Sequence, residues 1–541
     1  MTMTRHSDKM VPFPADFVER YRYKDKLWGD RTIPDEFRRV AALHPETEAV
    51  VAADRRITYA QLDARSDALA ARLVDIGLVA GDPVILQVGN TVETVEALYG
   101  LMKIGAIPIC SLVPFGPHEL NAIAGITGAR AHLVQADIPG RDLAGLSAEL
   151  RREYPTIEFT LTIRGEAEAG IRIDDARPAA APAYTGDPED IAIMQLSGGT
   201  TGIPKVIPRL HAEYWYNGVT TQERWGLEPG GRLGHLMPIV HNAGIHAALL
   251  PCHSVGATLV LGSTWTPEIV MSLLETEGLT HLGSLTSLAM DMSGDAAFLA
   301  AAAKLKRLNL AIPAVPGELF ELFRANGVPV FQFFGMGEGF CCGQPVDASE
   351  EMRRSTVGYP MSPADEYLLL DPDGEGTVGP GESGELCVRG PYTLRGYYNS
   401  SEHNARVFTP DGYLRTGDVV RFIDIDGHPC MRIEGRSKDL ISRGGEKINA
   451  SEIEEVLLGY PEIKSAALVA MPDSRLGEKA CAFLVVEGEQ PTLADLQAFL
   501  EAQGVAKYKW PERLEFLDEL PVTGIGKVAK KQLREMAKEM S

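Results

Sequence analysis

Residues 81–110 read GDPVILQVGNTVETVEALYGLMKIGAIPIC, and their rhythm decides the fold class. Gly81-Asp82-Pro83 is a turn, and the short apolar run Val84 to Val88 after it predicts a buried strand. Asn90-x-x-Glu93 has the form of a helix start, and the helix it opens runs to about Ile104. Gly105 follows, then a second apolar run, Ala106 to Cys110. Strand, helix, strand at this spacing predicts α/β with a mostly parallel sheet. The residues just upstream agree. Thr58-x-x-Gln61 is a capping box, Leu62, Leu69, Leu73 and Ile76 fall on one helical face, and Gly77 closes the helix.

The last hundred residues differ in character. Ser451-x-x-Glu454 reads as the cap of a short helix, Ile463 to Met471 and Cys481 to Val486 as strands, and Thr492-x-x-Asp495 as the start of another helix. These make a compact α+β unit of domain size. The junction falls in the charged, glycine-bearing segment Glu434 to Glu446 (EGRSKDLISRGGE), so the expected domains are 1–437 and 438–541. The Ala/Pro-rich run Ala176 to Tyr184 reads as a surface connector.

Composition bounds the function. The chain has 541 residues, 45% hydrophobic and 23% charged, which is globular and predicts roughly two to four domains. Asp and Glu number 74 against 52 Lys and Arg, a net charge of −22, which argues against a nucleic-acid partner. Seven scattered cysteines without a C-x-x-C pair exclude a disulfide framework or a zinc ribbon. The N-terminus lacks the apolar core of a secretory signal. The most apolar long stretch, Gly244 to Gly262, is interrupted by His246, Pro251 and His253, so no membrane span is expected. The expectation is a cytoplasmic protein, monomeric or homodimeric.

Chemistry is concentrated in Leu196 to Lys205, LSGGTTGIPK, which follows the strand-like run Ile191 to Leu196. Glycines and small hydroxyl residues let backbone N–H groups and hydroxyls converge on an anion, and Lys205 adds a charge. It is not a Walker A loop, because Pro204 precedes the lysine and Val206 follows it.

Four further segments follow this loop in order: FGMGE at Phe334 to Glu338, YLRTGD at Tyr413 to Asp418, GRSKD at Gly435 to Asp439, and PVTGIGK at Pro521 to Lys527. The ordered set resembles the adenylate-forming superfamily of acyl- and aryl-CoA synthetases, luciferases and peptide-synthetase adenylation domains. The opening FVERYRYKDKLWG at Phe17 to Gly29, MPIVHN at Met237 to Asn242 and GIGKVAKK at Gly524 to Lys531 are similar to the aryl-acid AMP ligases. Those enzymes activate 2,3-dihydroxybenzoate or salicylate, often for siderophore assembly, and salicylate-type CoA ligases look alike. The resemblance implies a large N-terminal adenylation domain with parallel-rich sheets and a small mobile α+β C-terminal domain. It implies ATP and Mg²⁺, a small aryl acid as substrate, and an aryl carrier protein's phosphopantetheine or coenzyme A as thiol acceptor.

The same resemblance assigns roles. Ser197, Thr200, Thr201 and Lys205, with Gly198 and Gly199 between them, would hold the β- and γ-phosphates. Glu338 would bind Mg²⁺, a hard cation that takes carboxylate and phosphate oxygens together. Phe334 and Gly335 would lie by the adenine, Asp418 would take the ribose hydroxyls, and Arg436 would touch the same nucleotide region. Lys527 would bridge the aryl carboxylate and the α-phosphate during adenylation. Lys438 matches the hinge, and Arg443, Gly444, Gly445 and Glu446 the lining of the thiol tunnel. His241 would close the site and Asn242 would bond the ortho-hydroxyl of the ring.

This chain departs from the pattern in its pocket. Ala243 stands where an aromatic residue is common, Ala247 where dihydroxybenzoate enzymes carry a serine, Gly337 in place of alanine or threonine, and Cys341 in place of an aliphatic residue. Together they imply a roomier pocket with less support for a 3-hydroxyl, hence a salicylate-like or ring-substituted acid. Leu310 to Ala314 (LAIPA) replaces a glycine-rich turn, and Pro313 removes a donor and stiffens the chain. Three other functions stay open on these motifs: transfer to coenzyme A, luciferase-type oxidation, and ATP-driven chemistry on an aminoaryl substrate.

Overall fold

The computed structural model describes residues 6–167, 170–180, 182, 184–197, 204–311, 315–371, 376–436, 439–443, 446–473, 476–503, 505, 507–522 and 528–540. Two compact units emerge. One comprises 1–366, 388–414 and 425–430, the other 367–387, 415–424 and 431–541.

Two sheets organise the first unit. A seven-stranded sheet runs from edge to edge through Ile171–Arg172, Phe159–Ile163, Ala131–Gln135, Pro83–Gln87, Ile107–Ser111, Ile191–Leu196 and Val206–Leu210. Its strands are parallel except the last pair, which is antiparallel. A nine-stranded sheet has a parallel centre, Val330–Gly335, Arg307–Ala311, His281–Leu285, Arg232–His235, Thr258–Leu261 and Glu48–Val51, with antiparallel edges. Parallel strands are covered on both faces, so they read as continuous apolar runs. Ile85, Ile107, Ile109 and Met194 form the core of the first sheet, and Leu236, Val260, Leu282, Leu308 and Phe323 that of the second.

The second unit holds a C-terminal sheet in which Gly477–Val486 pairs with Ile463–Asp473, Leu440–Arg443 and Arg513–Phe516. Helices Ala450–Leu457, Leu493–Ala502 and Lys530–Glu539 cover it through Leu457, Leu496 and Leu533. The expected α/β class, with a large N-terminal and a small C-terminal part, is what the structure shows. No helix among the described residues is long and apolar enough to cross a membrane. The seven cysteines are buried and form no disulfide.

The local readings divide instructively. The Thr58–Gln61 capping box forms as read, opening Tyr59–Ile76, and Gly77 ends that helix at φ 109°. Two N-caps differ. Thr91, not Asn90, caps Val92–Lys103. Asn449, not Ser451, caps Ala450–Leu457, and its side chain accepts the Ser451 N–H. Glu454 faces inward instead, bound to the Leu468 N–H and Lys530. In each case a polar side chain that could cap locally is claimed by a more distant segment.

Asn90 is the clearest instance. Its Nδ2 donates to the carbonyls of Met237 and Gly262, each at 2.9 Å, and its Oδ1 accepts the Ile239 N–H at 2.7 Å. One side chain therefore ties the first sheet to the loop that leads into His241. Asn90→Ala leaves these backbone groups unpaired, and we expect a loss of about 2–4 kcal/mol, read as a lower thermal midpoint.

Candidate active site

The loop read as the phosphate cradle hangs from an antiparallel pair, Ile191–Leu196 with Val206–Leu210, in the register Leu196 to Val206. Ser197 and Lys205 close its neck. The Ser197 N–H donates to the Lys205 carbonyl at 2.9 Å, and the Lys205 N–H donates to Ser197 Oγ at 3.1 Å. Among the described residues no acceptor takes the hydroxyl proton of Ser197. No carboxylate pairs with the Lys205 ammonium among the described residues. Gly198, Gly199, Thr200 and Thr201 lie outside the described residues. So do Lys438, Gly444, Gly445 and Lys527, residues 312–314 of the LAIPA segment, and the side chains of Arg436 and Glu446.

Glu338 follows the strand Val330–Gly335. Tyr397 Oη donates to Glu338 Oε1 at 2.7 Å, and the Leu394 N–H donates to the Glu338 carbonyl at 2.7 Å. Gly339 makes this approach feasible. Its φ is 118°, and a Cβ there would sit 1.8 Å from the Tyr392 carbonyl oxygen. Tyr397 also meets the His403 ring at 5.1 Å, and His403 feels the charge of Lys205. Tyr397 and His403 thus link Glu338 to the surroundings of Lys205.

Magnesium can be tested against these residues. Glu338 Oε2 accepts no hydrogen bond among the described residues, which leaves one carboxylate oxygen for a hard cation. No cluster of three or more candidate metal-binding side chains occurs among them. A single carboxylate fits a cation that takes its remaining oxygens from phosphates and water.

Two of the residues read as the aryl pocket, Asn242 and Gly337, meet a buried cation. Arg209, in the strand Val206–Leu210, is 1% exposed and forms a forked pair with Glu213 at 2.9 and 2.8 Å. It also donates to the Gly337 carbonyl at 3.1 Å and stacks 4.0 Å from the Tyr214 ring centroid. Asn242 lies beside it. Asn242 Oδ1 accepts from Tyr214 Oη at 2.8 Å and Arg209 Nη1 at 3.5 Å, while Nδ2 donates to the Met336 carbonyl at 3.2 Å. A guanidinium can only donate and a carbonyl only accept, so the amide can sit only one way round. The second Asn242 Nδ2 N–H has no acceptor among the described residues.

His241 caps the short helix Asn242–Gly244, its Nδ1 accepting the Ala243 N–H at 3.2 Å. Cys341 donates its thiol to the Gly339 carbonyl, and burial pushes its pKa up to about 12, so it stays protonated. A Cβ on Gly335 would lie 3.4 Å from His246 Nε2 and 3.5 Å from Cys341 Sγ. Ala247 is buried in the turn after Asn242. Phe334 is buried within its strand.

Asp418 and Arg443 belong to the second unit. Asp418 is buried, its N–H bonded to Thr416 Oγ1 at 3.0 Å. Arg443 pairs with Glu512 at 2.8 and 2.6 Å.

The family model for AMP-binding enzymes matches residues 37–398, and that for the AMP-binding enzyme C-terminal domain matches 452–527. The chain belongs to the AMP-binding enzyme family. It is 36% identical over 539 residues to the 2,3-dihydroxybenzoate-AMP ligase of Bacillus subtilis, covering 98% of each chain. It is 37% identical to the salicylyl-CoA synthase / salicylate adenylyltransferase of a Streptomyces species, covering 99% of this chain and 98% of that one. Of solved structures, apo MbtA of Mycobacterium smegmatis is 36% identical and covers 98% of this chain and 99% of its own, with a TM-score of 0.75.

Arg209, Glu213, Tyr214 and Tyr397 were not among the residues singled out from the AMP-binding enzyme's sequence. A basic residue inside an apolar strand, with a glutamate four positions on, was the available signal. Glu213→Gln strands the buried guanidinium, and urea titration should show a loss of about 3–5 kcal/mol. Arg209→Met combined with Glu213→Leu should recover most of that loss.

Proposed function

We propose that this AMP-binding enzyme activates a 2-hydroxybenzoate-type acid, salicylate-like or ring-substituted, and passes the acyl group to a carrier protein's phosphopantetheine thiol. The observation that carries the reading is the locked Asn242 amide. Its oxygen is occupied by Tyr214 and Arg209, so it offers an incoming ring only an N–H. An ortho-hydroxyl oxygen accepts that bond, and a site built around such a bond discriminates against analogues that lack it.

In the first half-reaction a carboxylate oxygen attacks the α-phosphorus and pyrophosphate departs. Both partners are anions, so catalysis depends on positive charge and N–H groups placed where negative charge gathers. Ser197, Lys205 and the glycine-bearing loop between them take the β- and γ-phosphates. Glu338, held by Tyr397, takes Mg²⁺, which neutralises triphosphate charge when bound. Phe334 and Gly335 serve the adenine, Asp418 the ribose, Arg436 the same nucleotide region, and Lys527 the bond-forming oxygens. His241 closes the site, and Ala243, Ala247, Gly337 and Cys341 shape the ring pocket.

In the second half-reaction the thiol sulfur attacks the acyl carbonyl, AMP leaves and the thiol proton passes to solvent. We assign the boundary to residues 437/438, with Lys438 as hinge and Arg443 to Glu446 lining the thiol's approach. Coenzyme A as acceptor is the second reading, favoured by the resemblance to salicylyl-CoA synthase. Release of AMP with one thiol and not the other separates the two.

The decisive experiment is ATP–pyrophosphate exchange across substituted benzoates. Exchange should require an ortho-hydroxyl; equal rates with benzoate itself would refute the reading. Lys527→Ala should abolish acid-dependent exchange and spare thiol transfer from supplied acyl-adenylate, and equal loss of both steps in a folded variant would refute the division of labour.

A further inference from the structure

The turn that follows Asn242 is not an ordinary helix. Ile245–Leu249 is wound as a π-helix, continuing from Asn242–Gly244 and followed by Leu250–Val255. Such wide turns are uncommon and cluster at functional sites. His246 sits in this one, one turn beyond Asn242, and is 2% exposed. Its Nδ1 is sealed from solvent without a hydrogen-bond partner, and no hydrogen bond reaches Nε2 among the described residues. A second imidazole within electrostatic reach, His235, is also buried with its Nε2 unpartnered. Buried polar groups in native proteins are almost always paired, so an orphaned imidazole calls for an explanation.

The surroundings of His246 supply one. Nε2 lies by Gly335 and near Cys341, two residues assigned above to the nucleotide and ring sides of the site. Arg209 and Tyr214 have already taken the Asn242 amide oxygen. Ala247, next along, has no polar atom to offer. Burial, reinforced by Arg209, His241 and His235, lowers the His246 pKa to about 3. The ring is therefore neutral, with one nitrogen that donates and one that accepts. A charged partner is not called for; a hydroxyl or an amine satisfies it.

We propose that His246 is a specificity-determining residue that hydrogen-bonds a hydroxyl or amino substituent on ring carbon 3 or 4 of the acyl substrate, beyond the ortho-hydroxyl held by Asn242. This rests on the aryl-acid reading above and names the ring substituent that reading leaves open. Ala243, Ala247 and Gly337 are small, and His246 provides the polar side-chain contact that Ala247 lacks.

The test compares kcat/KM for pyrophosphate exchange with 2-hydroxybenzoate, its 3- and 4-hydroxy and 3- and 4-amino derivatives, and the matching methyl compounds. The full-length enzyme should favour at least one hydroxy or amino derivative over both 2-hydroxybenzoate and its methyl counterpart by about tenfold or more. His246→Leu should collapse that ratio toward one. His246→Gln, which keeps a donor and an acceptor, should restore part of it and guards against a leucine variant that fails to fold. A methyl compound used as well as its hydroxyl counterpart, or a ratio unchanged in His246→Leu, overturns the assignment. Absence of exchange with every benzoate refutes the aryl-acid reading itself, a result distinct from exchange without discrimination.

Discussion

A guanidinium buried without water must be paired, and the acyl side of this site is arranged around that requirement. Arg209 leaves the seven-stranded sheet on Val206–Leu210 and meets Glu213, which also accepts the Leu210 N–H at the start of the helix His211–Trp225. One carboxylate therefore neutralises the cation and caps the helix. The remaining donors of Arg209 reach the Gly337 and Tyr392 carbonyls and the Asn242 side chain. Three segments distant in sequence are held by one side chain whose protonation is fixed at any physiological pH. The specificity we propose rests on that pairing: the oxygen of Asn242 is taken by Tyr214 and Arg209, which leaves its amide nitrogen as the group to donate.

The phosphate side follows a different logic. The neck of its loop is held by the reciprocal Ser197–Lys205 bonds and by the antiparallel register below them. The stretch of sequence between those anchors is rich in glycines and small hydroxyl residues, the types whose backbone N–H groups and hydroxyls can converge on an anion. Glu338 is fixed more firmly, by Tyr397 and by a glycine that nothing larger can replace.

Much of the fold was legible because its signals are local. Apolar runs of strand length alternating with capped helices predict a covered parallel sheet, and the runs at Val84, Ala106 and Ile191 became strands. The capping box at Thr58 and the helix start at Thr492 formed as read. The misread caps failed for one reason. Asn90 and Glu454 each had a local role available and took a distant one, and a sequence does not show which neighbour will arrive.

The site divides along the same line. By itself the sequence determined the α/β class, the order of the family's motifs, and where the glycine-rich loop and the alanines at 243 and 247 fall in that order, since each depends on residue type and spacing within one stretch of chain. Only the tertiary structure decided that Arg209 backs Asn242, that Tyr397 holds Glu338, and that His246 lies unpartnered beside Gly335. Those facts depend on which hydrogen-bond donors and acceptors meet when segments scores or hundreds of residues apart are packed together, and no local pattern records that accounting.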